Sequence, residues 1–171
     1  MIFGDPNGGF AQSPEDLYQV QLGAYAEAID WSRFQGLQDL GLVMRQSIRA
    51  EEPNDGLIRV YLGKYLGRQT LEHVLAQLKK RGFMQLGLDQ NDYTLRQGNG
   101  PSLRYTVQLG VFSQLDMQTF SRLEAPQNLL IQYEDRKWKV LYGLYASPED
   151  AREALQTLSR QGHTGIIKAF R

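Results

Sequence analysis

At 171 residues, with 42% hydrophobic and 22% charged side chains, the chain has a core to bury, and its length suits one ordinary domain or two very small ones. Nineteen basic residues cancel nineteen acidic ones, so no strong field draws in nucleic acid, an anionic membrane or a polyanionic substrate. The absence of cysteine removes disulfides, thiol catalysis and thiolate metal sites, and no apolar run approaches the roughly 18 residues of a spanning helix.

In chain order, Val20, Leu22 and Ala24 alternate with Gln21, Gly23 and Tyr25, which predicts a half-buried strand with the second set on its outer side. Trp31, Phe34, Leu37 and Leu40 then predict a helix. Two apolar stretches, residues 42–48 and 57–62, flank Glu51, Glu52, Pro53, Asn54, Asp55 and Gly56, and turn chemistry between strand patterns predicts a hairpin. Leu71, Val74, Leu75 and Leu78 recur at helical spacing, Lys79, Lys80 and Arg81 suit the negative end of the helix dipole, and Gly82 is the stop. Residues 84–88 predict a short last strand, and a polar stretch with Gly98, Gly100 and Pro101 reads as a linker.

The same elements then recur. Tyr18, Val20, Gln21, Leu22, Gly23 and Tyr25 are matched by Tyr105, Val107, Gln108, Leu109, Gly110 and Phe112. Arg59, Val60, Gly63 and Tyr65 are matched by Lys139, Val140, Gly143 and Tyr145, while Leu75, Leu78 and Gly82 are matched by Leu155, Leu158 and Gly162. Met117, Phe120 and Leu123 predict the second copy's first helix, which Ser113 and Asp116 would start, and residues 129–133 and 137–142 its hairpin. Its closing helix opens at Ser147 and Pro148, and its last strand spans residues 165–170.

Three matches in one order predict a duplication, with copies at residues 14–90 and 103–171 and a linker at 91–102. The expected fold class is α+β: two tandem ferredoxin-like β-α-β-β-α-β modules, each a four-stranded antiparallel sheet with two helices on one face. Trp31, Phe34, Leu75, Leu78, Phe120 and Leu158 are expected between helices and sheet. The opposite face is expected to stay open and to carry Gln21, Tyr25, Arg59, Tyr61 and Tyr65 in copy one, and Gln108, Phe112, Lys139, Leu141 and Tyr145 in copy two.

The Val-Gln-Leu-Gly strand with an aromatic two residues on, the strand from Arg59 or Lys139 to its Gly and aromatic, and the helix ending in Gly together resemble the SPOR (sporulation-related repeat) family. Lys139 stands where that pattern has Arg, and Leu141 places an apolar side chain on the expected face. The resemblance implies non-catalytic binding of peptidoglycan glycan strands stripped of their stem peptides, by a module of an exported division or wall-remodelling protein. By position it implies ligand-facing Gln21, Gln108, Tyr25, Phe112, Arg59 and Lys139, and Tyr61, Tyr65, Ser113 and Tyr145 complete the expected glycan-binding set. A sugar ring has an apolar face for Tyr or Phe, and its hydroxyl and N-acetyl groups need amide and cationic partners.

On this reading the chain is expected in the bacterial cell envelope, with a signal or anchor outside the given sequence. Its partners are glycan strands and other envelope or division proteins, with no nucleic acid and no direct membrane insertion. No nucleophile elbow, phosphate loop or carboxylate pair argues an enzyme, and no cofactor is implied. His73 and His163 lack metal-ligand spacing. The rival expectation is a protein-interaction or scaffold module of the same build that binds no glycan.

Overall fold

The computed structural model describes residues 16–48, 54–91 and 104–170. Strand-period alternation yields β1 (Leu17–Tyr25), β2 (Leu42–Met44), β3 (Ile58–Leu66) and β4 (Gly87–Asn91), then β5 (Tyr105–Phe112), β6 (Leu129–Glu134), β7 (Lys137–Tyr145) and β8 (Ile166–Ala169). The two helical stripes fold as α1 (Arg68–Lys80) and α2 (Pro148–Arg160). β1 lies between β3 and β4, β5 lies between β7 and β8, and all of these pairs are antiparallel.

The helix stops fall where glycine chemistry predicts them. Gly82 (φ 91°) and Gly162 (φ 88°) take the left-handed conformation. Each lets the next N–H reach back five residues, Phe83 to the Leu78 carbonyl at 3.1 Å and His163 to the Leu158 carbonyl at 3.0 Å. α2 starts as expected, with the Ser147 side chain accepting from the Asp150 N–H at 3.1 Å and Pro148 at the first helical position.

Three expectations are corrected. The first helix expected in each half is a single 3-10 turn, Trp31–Phe34 and Met117–Phe120. Each starts on an aspartate, Asp30 or Asp116, that accepts from the N–H two residues on, so Ser113 is not the cap. In the first half Gly36, at φ 84°, turns the chain before a second helical turn can form. Phe34 is still buried from the 3-10 turn and Leu37 and Leu40 from the loop after it, while Trp31 is 45% exposed instead of buried. The last strands are also shifted, to Gly87–Asn91 and Ile166–Ala169.

The second correction concerns the sheet. Among the described residues there are not two separate four-stranded sheets but one continuous sheet ordered β4-β1-β3-β6-β7-β5-β8, with β2 also pairing β3. The cause is the brevity of β2, which pairs only with Tyr61, Leu62 and Gly63 of β3. The rest of that edge would be left unpaired. β6 takes it up in a parallel pairing of Tyr65 with Ile131. A single core follows on the helix side, where Val20, Phe34, Val60 and Leu78 join Phe120, Val140 and Leu158, with Leu75 half-buried against it.

The third concerns the opposite face of the first half, which is not open. Gln19, fully buried there, donates from Nε2 to the Gln46 carbonyl at 2.8 Å and accepts from the Ile48 N–H at 3.0 Å, and Ser47 bonds Asp89 at 3.1 Å. The chain after β2 therefore lies across the sheet. The second-half hairpin turns through Asp135 and Arg136, at φ 54° and 61°, so its chain makes no such return. The expected turn over residues 51–56 lies partly, and the linker over 91–102 almost wholly, outside the described residues.

Candidate functional site

A bulge in β1 decides where the site forms. Gln21 pairs with Tyr61 and Gly23 with Val60, which leaves Leu22 over and reverses the alternation beyond it. Tyr25 thereby turns to the helix side. Its ring lies over Gly23, where a Cβ would come within 2.5 Å of the hydroxyl, and meets Phe34 edge-on at 6.3 Å. Phe34 in turn meets Trp31 at 6.1 Å. The second half repeats this at Phe112, which lies over Gly110 and against Phe120 at 6.1 Å.

β4 pairs with β1 only from Leu17 to Gln21, so Leu22 to Tyr25 have no strand on that side. The chain leaving α1, residues 81–86, swings away before it rejoins the sheet, and an open cleft of about 810 Å³ lies between. Gln21, Tyr25, Arg33, Arg81, Met84 and Gln85 line it, with Met84 78% exposed.

Both cations are placed by local structure. Arg81 caps the C-terminus of α1, pairs with Asp39 through two contacts of 2.5 and 2.9 Å, and donates to the Gly36 carbonyl at 3.1 Å. Those bonds from Arg81 hold the Asp39 carboxyl below the usual range against the opposing effect of burial. Arg33, in the 3-10 turn, donates to the Tyr25 hydroxyl at 3.4 Å. Asp30 lies near it, but its carboxylate is lowered chiefly by the bonds it accepts from Ser32. No carboxylate lines the cleft among the described residues.

Of the expected site residues, the structure brings Gln21 and Tyr25 together in this cleft. The others are dispersed. Arg59 is on the outer face in a two-contact pair with Asp55, whose carboxyl that pair, foremost, holds at about 2. Tyr61 is fully buried on that face. Tyr65 is corrected most strongly: the register slips at Lys64, so its ring enters the helix-side core and its hydroxyl donates to the Leu40 carbonyl at 2.7 Å. Burial, with Asp39 as a lesser influence, raises its hydroxyl well above the ordinary tyrosine value.

In the second half Gln108 is half-buried on the outer face between Leu141 and Ile166, and Lys139 pairs with Glu134 at 3.4 Å. Leu141 is itself buried, with Leu17, Leu66 and Leu130. Phe112 and Tyr145 turn to the helix side for the same reason as Tyr25 and Tyr65, a register slip one to three residues earlier. Desolvation, then Tyr142, pushes the Tyr145 hydroxyl up to about 12. Ser113 is exposed just beyond β5.

Sequence reasoning missed Arg33, Arg81, Met84 and Gln85 as cleft residues. The Lys79-Lys80-Arg81 run was legible as a helix terminus, but that its last member faces a cleft depends on the swing of the next five residues. A difference between the halves was legible and carries weight. The residue after the helix is Arg81 in one and Gln161 in the other, and the third residue of the 3-10 turn is Arg33 in one and Thr119 in the other. The arginine pair belongs to the first half alone.

Residues 14–85, which contain every residue of the cleft but Leu86, match the family model described as SPOR domain. That family is a peptidoglycan-binding and not a catalytic one, and its members occur in bacterial envelope proteins. No curated protein and no solved structure matches the chain. Among the described residues, no helix is long and apolar enough to cross a membrane, and no group of three His, Asp or Glu residues could hold a metal ion.

Proposed function

We propose that this chain binds bacterial peptidoglycan through the first-half cleft, taking glycan strands stripped of their stem peptides and so tethering an envelope protein to the cell wall. The observation that carries the reading is the half-exposed Tyr25 ring beside Gln21 and Arg33, within the segment that matches the SPOR model. A sugar ring stacks its apolar face on Tyr25, Gln21 and Gln85 serve N-acetyl and hydroxyl groups, and the unpaired edge of β1 offers backbone donors and acceptors.

Residues 14–90 and 103–171 are read as two copies of one module that no longer bind alike. The second copy keeps the aromatic-on-glycine arrangement but has Thr119 and Gln161 at the positions of the arginines. It serves as the structural partner of the first, and its outer face, with Gln108, Lys139 and Ile166, is the surface left for other envelope or division proteins. Co-sedimentation tests the main reading. The protein is expected to pellet with amidase-treated sacculi more than with intact ones, and Tyr25→Ala should weaken this about tenfold, the loss of one stacking platform at about 1–2 kcal/mol. Equal pelleting of wild type and Tyr25→Ala would remove the cleft from the binding site.

A further inference from the structure

Within the glycan-binding reading, on which this inference rests, the two arginines of the cleft are not equivalent. Arg81 spends its donors on Asp39 and the Gly36 carbonyl. Its charge is matched. Arg33 is exposed and makes no ion pair with any described residue; its guanidinium is steadied only by the Tyr25 hydroxyl at 3.4 Å. The nearby Asp30 carboxylate already accepts from the Ser32 N–H at 3.1 Å and the Ser32 hydroxyl at 2.6 Å. A cation held at the edge of an aromatic ring, in a cleft without a carboxylate of its own, is a complement for an anion carried beside an apolar ring face.

Peptidoglycan offers one such anion. The lactyl group of each muramoyl residue is an uncharged amide while the stem peptide is attached, and becomes a free carboxylate when that amide is hydrolysed. We propose that Arg33 reads this lactyl carboxylate, and that it is the residue by which the cleft distinguishes stripped strands from peptide-bearing ones. Discrimination then rests on charge as well as on the bulk of the peptide. Thr119 at the equivalent position predicts that the second half has no such preference.

The test uses the whole chain and two oligosaccharides, a short GlcNAc–MurNAc strand with free lactyl carboxylates and the same strand with those groups converted to methylamides. Methylamide reproduces the neutral amide without the peptide's bulk. Titration calorimetry is expected to give about tenfold tighter binding of the acid, the scale of one charge-assisted hydrogen-bonded pair, with the preference shrinking at high salt. Arg33→Gln should remove the preference, so that acid and methylamide bind alike and the acid loses more affinity than the methylamide does, with the melting temperature unchanged, and Arg33→Lys should keep part of the preference. Equal binding of acid and methylamide by the wild type, or an equal loss of both in Arg33→Gln, overturns the inference and leaves the glycan reading standing. Failure of the wild type to bind either strand overturns both.

Discussion

Glycine under an aromatic ring recurs at Gly23 with Tyr25, Gly110 with Phe112 and Gly143 with Tyr145. At each place the missing Cβ is what allows the ring to lie flat along its own strand. Gly23 is the informative one, because its φ lies outside the left-handed region and an alanine there is not strained by the backbone itself. A Cβ would come within 2.5 to 2.8 Å of the outer ring atoms of Tyr25, which can swing away. Gly23→Ala is therefore expected to move the ring and to cost about the same tenfold in glycan affinity as Tyr25→Ala, with little loss of stability. Unchanged affinity in calorimetry would mean that the ring's resting position is unimportant to binding.

The two helices are alike in length and in their stops, but not in their starts. α1 begins at Gly67, which offers no side-chain cap, whereas Ser147 caps α2 through the Asp150 N–H. Ser147→Ala should cost about 0.5–2 kcal/mol by leaving that N–H without its side-chain acceptor. Because both helices pack on one shared core, the loss should appear in chemical denaturation as an earlier single transition and not as early melting of the second half alone. Glycan binding in the first-half cleft should be unaffected.

Across the whole molecule, the halves are joined by more than the β3–β6 pairing. The Tyr133 N–H donates to the Thr70 hydroxyl at 2.8 Å, the Met117 N–H donates to the Gln38 carbonyl at 2.9 Å, and Lys64 reaches the Gln127 carbonyl. His73 of α1 stacks on Tyr133 at 3.8 Å and meets Trp138 at 5.4 Å, so an imidazole lies in the seam. Desolvation there, with a lesser push from Lys80, lowers its pKa below the ordinary 6.5. A group with a depressed imidazole pKa favours its neutral form in the folded state, so the unfolded chain binds the proton first. Stability is then full above 6.5 and falls as pH drops from there toward the folded value. Denaturation midpoints should fall as the pH is lowered below 6.5, and His73→Phe should flatten that fall. The lowered carboxyls of Asp30, Asp39 and Asp55 titrate below this window and leave it clear.

By itself the sequence determined the approximate places of the strands, the two α-helices with their glycine stops and the order of these elements along the chain, because periodicity and caps are interactions among near neighbours in the chain. It placed Gln21 and Tyr25 together as a pair of interest. It could not assign the face of Tyr25, Tyr65, Phe112 or Tyr145, because one extra residue in a strand inverts every side chain beyond it, and such a bulge is settled by the partner strand's register. Nor could it distinguish a 3-10 turn from a helix at Trp31, where burial of Phe34 and Leu37 satisfies either pattern. Only the tertiary structure decided that β6 would complete the edge left by β2, that residues 46–48 would cover the first half's outer face, and that Arg33 and Arg81 would meet β1 across a cleft. Each depends on which distant segment reaches an unpaired edge or face, and periodicity within a segment carries no record of that.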